Sequence, residues 1–331
     1  MSCRYPTSVA SPRYPDVRPW ALSHRDHSPV CLTKRCISYD SDPRRSQRRS
    51  LCRGSGGCLF LDVRITSCEL YFRDLQRGSD VRQRLGYCEQ RGDGPPVVLV
   101  PSGEGDCASF DEVADQLADV FAMLTFDTPG FSRSRVQTAD DISVSKLAEQ
   151  IAGLVESLGT YPATFYGCSS GGVAVLDLVV RQPELVRNAV VHEVAMAGAA
   201  ALLADLPTLD DAAVVESCKF AFGHVNDDLA AWEALGDEYH ARLAKNYVTW
   251  VRRYVAPEPP PTHSPEDLAG KPVTWTIGGL NLLACSVLAV KSGCTISLLM
   301  CKHFPQVSAP GMLAEHIRAT VQRQGPLNHT D

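Results

Sequence analysis

Apolar positions along this chain alternate between two spacings, and the alternation predicts the architecture. Val97-Val98-Leu99-Val100 is an unbroken apolar run followed at once by Pro101-Ser102-Gly103-Glu104-Gly105. That is the pattern of a parallel strand buried on both faces and ending in a glycine-bearing loop. A helical pattern covers Asp111 to Leu117, and Phe121 to Phe126 reads as the next buried strand, closed by the turn Asp127-Thr128-Pro129-Gly130. Residues 143–158 place Leu147, Ile151, Leu154 and Leu158 three or four apart, which predicts an amphipathic helix. Ala163 to Tyr166 reads as a short strand and Gly171 to Arg181 as a long apolar helix. Residues 187–194, Val273 to Ile277 and Thr295 to Met300 read as further strands. Strands alternating with helices predict an α/β fold, a doubly wound and mostly parallel sheet covered on both faces. Residues 196–268 interrupt this with helical patterns, notably 208–222 and 228–254, and close on a proline-rich loop from Pro257 to Pro265. Helices inserted between two sheet strands make a cap.

Composition divides the chain in two. It has 331 residues, 44% hydrophobic and 21% charged, with a net charge of −6. No apolar stretch is long enough for a membrane span. Residues 1–85 hold 16 of the 32 Lys and Arg but 8 of the 38 Asp and Glu. They read as a basic, unordered extension, in which Cys58 to Val63 and Cys68 to Phe72 are two short strand candidates. The cluster Arg44, Arg45, Arg48 and Arg49 lacks interleaved aromatics, so no nucleic-acid partner is expected. Residues 86–325 read as the catalytic domain, with its cap over about 196–268, and 326–331 as a tail. The 13 cysteines form no CxxC pair and no zinc spacing, and the N-terminus shows no apolar leader. Free thiols, a cytoplasmic location, no metal and no membrane partner are the expectation.

The candidate chemistry begins at Gly167-Cys168-Ser169-Ser170-Gly171, a G-x-S-x-G pattern. Here it ends an expected strand and opens an expected helix, the context of a nucleophile elbow. Ser169 is then the nucleophile, and the backbone N–H of Ser170 is one oxyanion donor. Epoxide hydrolases and haloalkane dehalogenases would need Asp at the nucleophile position, so Ser169 argues against those chemistries. Of nine histidines, His303 alone directly follows a strong buried strand, which makes it the candidate base. No Asp or Glu lies between Asp267 and His303, so the slot after the penultimate strand holds no acid. Glu193 instead ends the strand Val190-Val191-His192-Glu193, and buried strands seldom end in a carboxylate without a purpose. The order Ser169, Glu193, His303 suits a serine triad on such a sheet. Gly103 fits the second oxyanion donor, since its backbone can approach a carbonyl closely, and Ser102 beside it is placed to touch substrate. In the cap, Trp250 and Tyr254 lie one helical turn apart and predict an aromatic wall over the pocket.

Several of these segments together resemble one family, the fungal zearalenone lactonases. They are Tyr87 to Gly105, Asp127-Thr128-Pro129-Gly130, Gly167 to Gly171, His192-Glu193, Ala231 to Tyr254 and His303 to Pro310. The most specific are Trp232-Glu233-Ala234-Leu235-Gly236-Asp237-Glu238 and His240-Ala241-Arg242-Leu243. The resemblance covers residues 86–325 and implies the α/β-hydrolase fold and the opening of a macrocyclic resorcylic acid lactone. It also implies that Ser169, Glu193 and His303 are nucleophile, acid and base. Gly103 and Ser170 would be the oxyanion donors, and Trp250 the cap tryptophan that contacts substrate. The chain departs from the family pattern at Ser102, where an Asp is usual, and at Ala195, where a Pro is common. It is also a few residues shorter around Gly279 to Val290, and the usual first strand and its hairpin are not recognisable upstream of Gly86.

The expected function is therefore cofactor-free hydrolysis of a small-molecule lactone or ester through an acyl-enzyme. Two rival readings are a general carboxylesterase on the same triad and a ligand-binding protein that keeps a silent hydrolase site. The sequence leaves a homodimer open.

Overall fold

The run Val97–Val100 is fully buried, each side chain contributing about 1.5–3 kcal/mol by leaving water. It forms the core of strand β4 (Pro96–Val100) in a computed structural model that describes residues 33–36, 66–73, 82–134, 143–194, 203–226, 228–255, 263–279 and 282–323. The expected features at Cys58 to Val63, Ala195, 257–262 and 326–331 lie outside the described residues. Flanking β4 are β5 (Ala122–Phe126) and β6 (Ala163–Cys168), both parallel to it. Then follow β7 (Val186–His192), β8 (Val273–Ile277) and β9 (Thr295–Leu298), each parallel to its neighbour. On the other side, β3 (Arg82–Arg91) pairs antiparallel with β5. Beyond it lie β2 (Thr66–Arg73) and β1 (Thr33–Cys36), also antiparallel. Among the described residues the sheet runs β1-β2-β3-β5-β4-β6-β7-β8-β9. This is the doubly wound, mostly parallel sheet expected from the alternation.

Three strands thus fall wholly or partly within residues 1–85, the stretch read as an unordered extension, and residue 85 itself lies inside β3. The strand candidate at Cys68 to Phe72 lies within β2. Sequence reading missed β3 because its inward positions are charged. Glu89 and Arg91 are both 3% exposed and form an ion pair at 2.5 Å, while Arg91 also bonds Asp115 at 2.9 Å. An internal ion pair here occupies the positions where apolar residues would have announced the strand.

Helices cover both faces. On one face α2 (Val144–Leu158) and α3 (Ser169–Arg181) pack Leu147, Ile151, Val175 and Leu178 against Val98, Phe165 and Trp275. The first of these starts where Ser143 accepts the N–H of Lys146 at 3.1 Å and stops at Gly159 in the left-handed region. On the other face α1 (Asp111–Leu117) and α10 (Pro310–Arg323) pack against Val97, Leu99 and Met123. The cap lies between β7 and β8 and is carried by α4 (Asp211–Asn226), α5 (Leu229–Glu233) and α6 (Asp237–Trp250). The chain is completed by α7 (Pro265–Leu268), α8 (Leu282–Ser292) and α9 (Pro305–Ser308).

Candidate active site

Ser169 is the first residue of α3 and directly follows the fully buried strand β6. Its φ is +51°, a strained value for a residue with a side chain and one that lifts it out of the turn. The turn is possible only with small neighbours. A Cβ on Gly171 would lie 2.3 Å from the carbonyl oxygen of Pro101, and one on Gly167 would lie 2.7 Å from that of Gly171. Ser170 follows at the helix N-terminus, where unpaired backbone N–H groups favour negative charge.

Register brings the acid alongside. Cys168 of β6 pairs with His192 of β7, and His192 with Thr276 of β8, so Ser169 and Glu193 leave adjacent strands at the same edge. Glu193 is fully buried and strained, with φ of +40°. The Nδ1 of His303 donates to its Oε2 at 2.9 Å. The empty slot after β8 has a steric explanation. A Cβ on Gly278 would lie 2.9 Å from Glu193 Oε1 and 2.9 Å from the carbonyl of Cys301. The bare glycine makes room for a carboxylate delivered from the neighbouring strand.

The loop bearing His303 is pinned from two directions. Phe304 meets the His303 ring edge-on at 4.7 Å and stacks on Phe222 and Trp232 of the cap. From below, Nε2–H of buried His192 donates to the carbonyl of Lys302 at 3.0 Å, and the Thr276 hydroxyl lies 3.0 Å from Nδ1. Burial holds the His192 imidazole neutral, with its pKa pushed down to about 4.

The loop after β4 forms the opposite wall. The indole of Trp250 lies so close over Gly103 that a Cβ there would come within 2.9 Å of it, which puts the two residues in direct contact. Ser102, expected to face substrate, is buried, and its hydroxyl donates to Oε2 of Glu104. Asn246 of α6 reaches down to the same loop, donating to the Glu104 carbonyl at 2.7 Å. Tyr254 does not join Trp250 in one wall. The helix ends at Trp250 and continues as a wide π turn over Val251–Val255. Trp250 packs edge-on against Phe222 in one layer, while Tyr254 packs into the opposite layer near Asp177.

Sequence reading missed four contributors. His192 carried a signal, being a second polar residue at the end of a buried strand. Gly278 did too, as a glycine where an acid is usual. Glu104 and Asn246 carried none, because a lone polar residue in a loop or on a helix looks solvated. The turn Asp127 to Ser134 is tied down by ion pairs: Arg133 binds Asp127 at 2.7 Å, and both Arg133 and Arg242 bind buried Asp106. Among the described residues, no group of three or more His, Cys, Asp or Glu is placed to hold a metal ion. None of their helices is long and apolar enough to cross a membrane.

Comparison with known proteins bears on the family and the fold. Residues 95–215 match the family model for the alpha/beta hydrolase fold. A zearalenone hydrolase from Bionectria ochroleuca is 38% identical over 259 residues, covering 72% of this chain and 94% of that protein. One from Cladophialophora bantiana is 36% identical over 246 residues, covering 72% and 92%. Among solved structures, a Bacillus subtilis carboxylesterase superposes with a TM-score of 0.57 at 18% identity, over 80% of this chain and 93% of that one, and so speaks to the fold alone. The chain belongs to the zearalenone hydrolase family of α/β-hydrolases.

Proposed function

We propose that this chain opens the lactone ring of zearalenone or a closely related resorcylic acid macrolactone by serine catalysis. The observation that carries the reading is the 2.9 Å pairing of His303 with buried Glu193 beside the strained Ser169 elbow, in a chain 36–38% identical to proteins named for that substrate. Ser169 Oγ attacks the lactone carbonyl while the free nitrogen of His303 takes its proton. Glu193 holds the imidazole in the tautomer that can accept, and stabilises the imidazolium that forms. Negative charge collecting on the carbonyl oxygen rests on the N–H groups of Gly103 and Ser170. Collapse breaks the ring C–O bond, and His303 returns the proton to the departing oxygen, which stays tethered through the acyl chain. A water activated by His303 then releases the hydroxy acid and regenerates Ser169. Trp250 above Gly103 supplies an apolar face for the substrate ring. The described cysteines Cys88, Cys107, Cys168, Cys218, Cys294 and Cys301 are free thiols, in keeping with work in the cytoplasm.

The test is mass spectrometry of the product from purified protein and zearalenone, with Ser169→Ala alongside. Gain of one water by the substrate is expected, with turnover lowered about 10⁴-fold or more in the variant. Unchanged turnover in Ser169→Ala would sink the mechanism. Comparable rates on short acyclic esters would favour a general carboxylesterase instead.

A further inference from the structure

Among the described residues, Glu104 is the one acidic side chain on the oxyanion loop whose charge has no cation to meet it. It follows Gly103 directly, and Ser102 on the other side of Gly103 donates its hydroxyl to Oε2, so the two side chains clasp across the donor residue. The other oxygen, Oε1, is buried without a hydrogen-bond partner among the described residues. The carboxyl is 1% exposed, and Asn246 fixes its backbone carbonyl at 2.7 Å. Tyr166 and Cys168 approach from the sheet, Tyr239 and Tyr247 from the cap, and Asp106 from the same loop.

We propose that Glu104 is a positioning residue that works as a neutral acid, and that its ionisation weakens the oxyanion hole and makes hydrolysis fall at alkaline pH. This rests on the serine mechanism proposed above. A carboxylate one residue from the Gly103 N–H opposes the negative charge that the donor must stabilise. Ionisation also leaves a buried anion held by the Ser102 hydroxyl and the backbone N–H groups of Ser102 and Glu104 but, among the described residues, by no cation, which favours opening the loop to water. The surroundings agree with a group that titrates near neutrality. Loss of water raises the Glu104 pKa to about 7, against the opposing pull of the Ser102 hydroxyl. The neighbours keep their charge across that range. Burial pushes the phenols of Tyr166, Tyr239 and Tyr247 and the thiol of Cys168 upward. Despite its burial, Asp106 is held as a carboxylate by Arg242 and Arg133.

The test compares kcat/KM for zearalenone between about pH 6 and 9 in the native chain, Glu104→Gln and Glu104→Leu. The native chain should lose about tenfold between pH 7 and 9, while both neutral variants stay within about twofold of their own pH 7 value. An equal alkaline fall in a folded neutral variant overturns the proposal. The Ser169→Ala protein separates this from the mechanism itself, since its infrared spectrum reads the Glu104 carboxyl without any turnover. A buried carboxylic acid band that fades on going from pH 6 to 8.5 is expected there. Its absence at pH 6 overturns the proposal even if neither Glu104 variant folds. If instead Ser169→Ala retains native turnover, it is the serine mechanism that fails.

Discussion

On the base side of Ser169 the buried carboxylate has a partner: Glu193 receives His303 at 2.9 Å, and the group beneath it, His192, is an imidazole held neutral by burial. On the oxyanion side the buried carboxyl of Glu104 meets the Ser102 hydroxyl, the backbone N–H groups of Ser102 and Glu104 and, among the described residues, no cation, and burial favours its neutral form as well. Both sides exclude water and so both suppress charge, but with opposite consequences. The base side is damaged by added protons, because buried His192 must then charge. The oxyanion side is damaged by lost protons. If the proposed mechanism holds, such a site works in a window of pH set by these two flanks rather than by the triad alone.

The largest effect should come from removing charge on the base side. Glu193→Gln keeps the shape but presents an amide that can hold the wrong tautomer of His303 and cannot balance the imidazolium. A fall in kcat of about 10³–10⁴-fold is expected, with little change in KM. Single-turnover kinetics on zearalenone would read it, and a fall of less than tenfold would mean that Glu193 is not the orienting acid.

The next effect is on stability and sharpens the comparison directly. The His192 pKa is lower folded than unfolded, so the unfolded chain binds the extra proton, and stability falls as pH drops from about 6.5 to 4. The Glu104 pKa is higher folded than unfolded, so the native chain holds the extra proton, and stability falls as pH rises from about 4.5 to 7. Each contribution is worth up to about 3 kcal/mol, and between pH 4.5 and 6.5 they oppose each other. Single variants should unmask the pair. His192→Gln, which keeps a donor for the Lys302 carbonyl, should lose stability with rising pH across that window. Glu104→Gln should gain it. Urea unfolding at closely spaced pH values decides, and parallel curves for both variants would refute the opposition.

The sheet was legible because its strands β4 to β8 are buried on both faces and lie close to uninterrupted apolar runs. Chain order and strand ends leave few candidates for a triad, one elbow, one carboxylate at a buried strand end and one histidine after the last strand, and two of these, Glu193 and His303, pair at 2.9 Å. What stayed hidden has a common cause. Glu89 and Arg91 stabilise β3 by pairing with each other, and Asn246 acts by donating to the Glu104 carbonyl from a distant part of the chain. A polar residue gives no sign in sequence of whether water or a distant partner will meet it, whereas an apolar residue reports its own burial. Tyr254 shows the same gap for geometry. Its spacing from Trp250 is right for a helix, but the two rings pack into different layers of the core, which spacing alone does not report.

A smaller effect probes how the base side is assembled. Gly278→Ala would push a methyl group to within 2.9 Å of Glu193 Oε1 and of the Cys301 carbonyl. Overpacking of this kind costs about 1–3 kcal/mol. Displacing the carboxylate from His303 should lower kcat about tenfold, since small misplacements of a catalytic group are costly. Loss of stability with full activity would mean that the glycine serves the Cys301 loop and not the acid.

The smallest expected change bears on whether the oxyanion side belongs to the sheet or to the cap. Asn246 is 1% exposed and uses its whole amide: Nδ2 donates to the Glu104 carbonyl and to Ser132 Oγ, both at 2.7 Å, and Oδ1 accepts from Ser132 N at 2.8 Å. It lies one helical turn before Trp250, so one stretch of α6 both anchors the loop and roofs it. Asn246→Ala strands the Ser132 N–H and the Glu104 carbonyl, at a cost of about 1–2 kcal/mol. If the cap positions the oxyanion loop, kcat should fall a few-fold as well, and KM should rise as Trp250 loosens. A destabilised variant with unchanged kcat and KM would assign the loop to the sheet alone, because then neither Gly103 nor Trp250 depends on the helix end that holds them together.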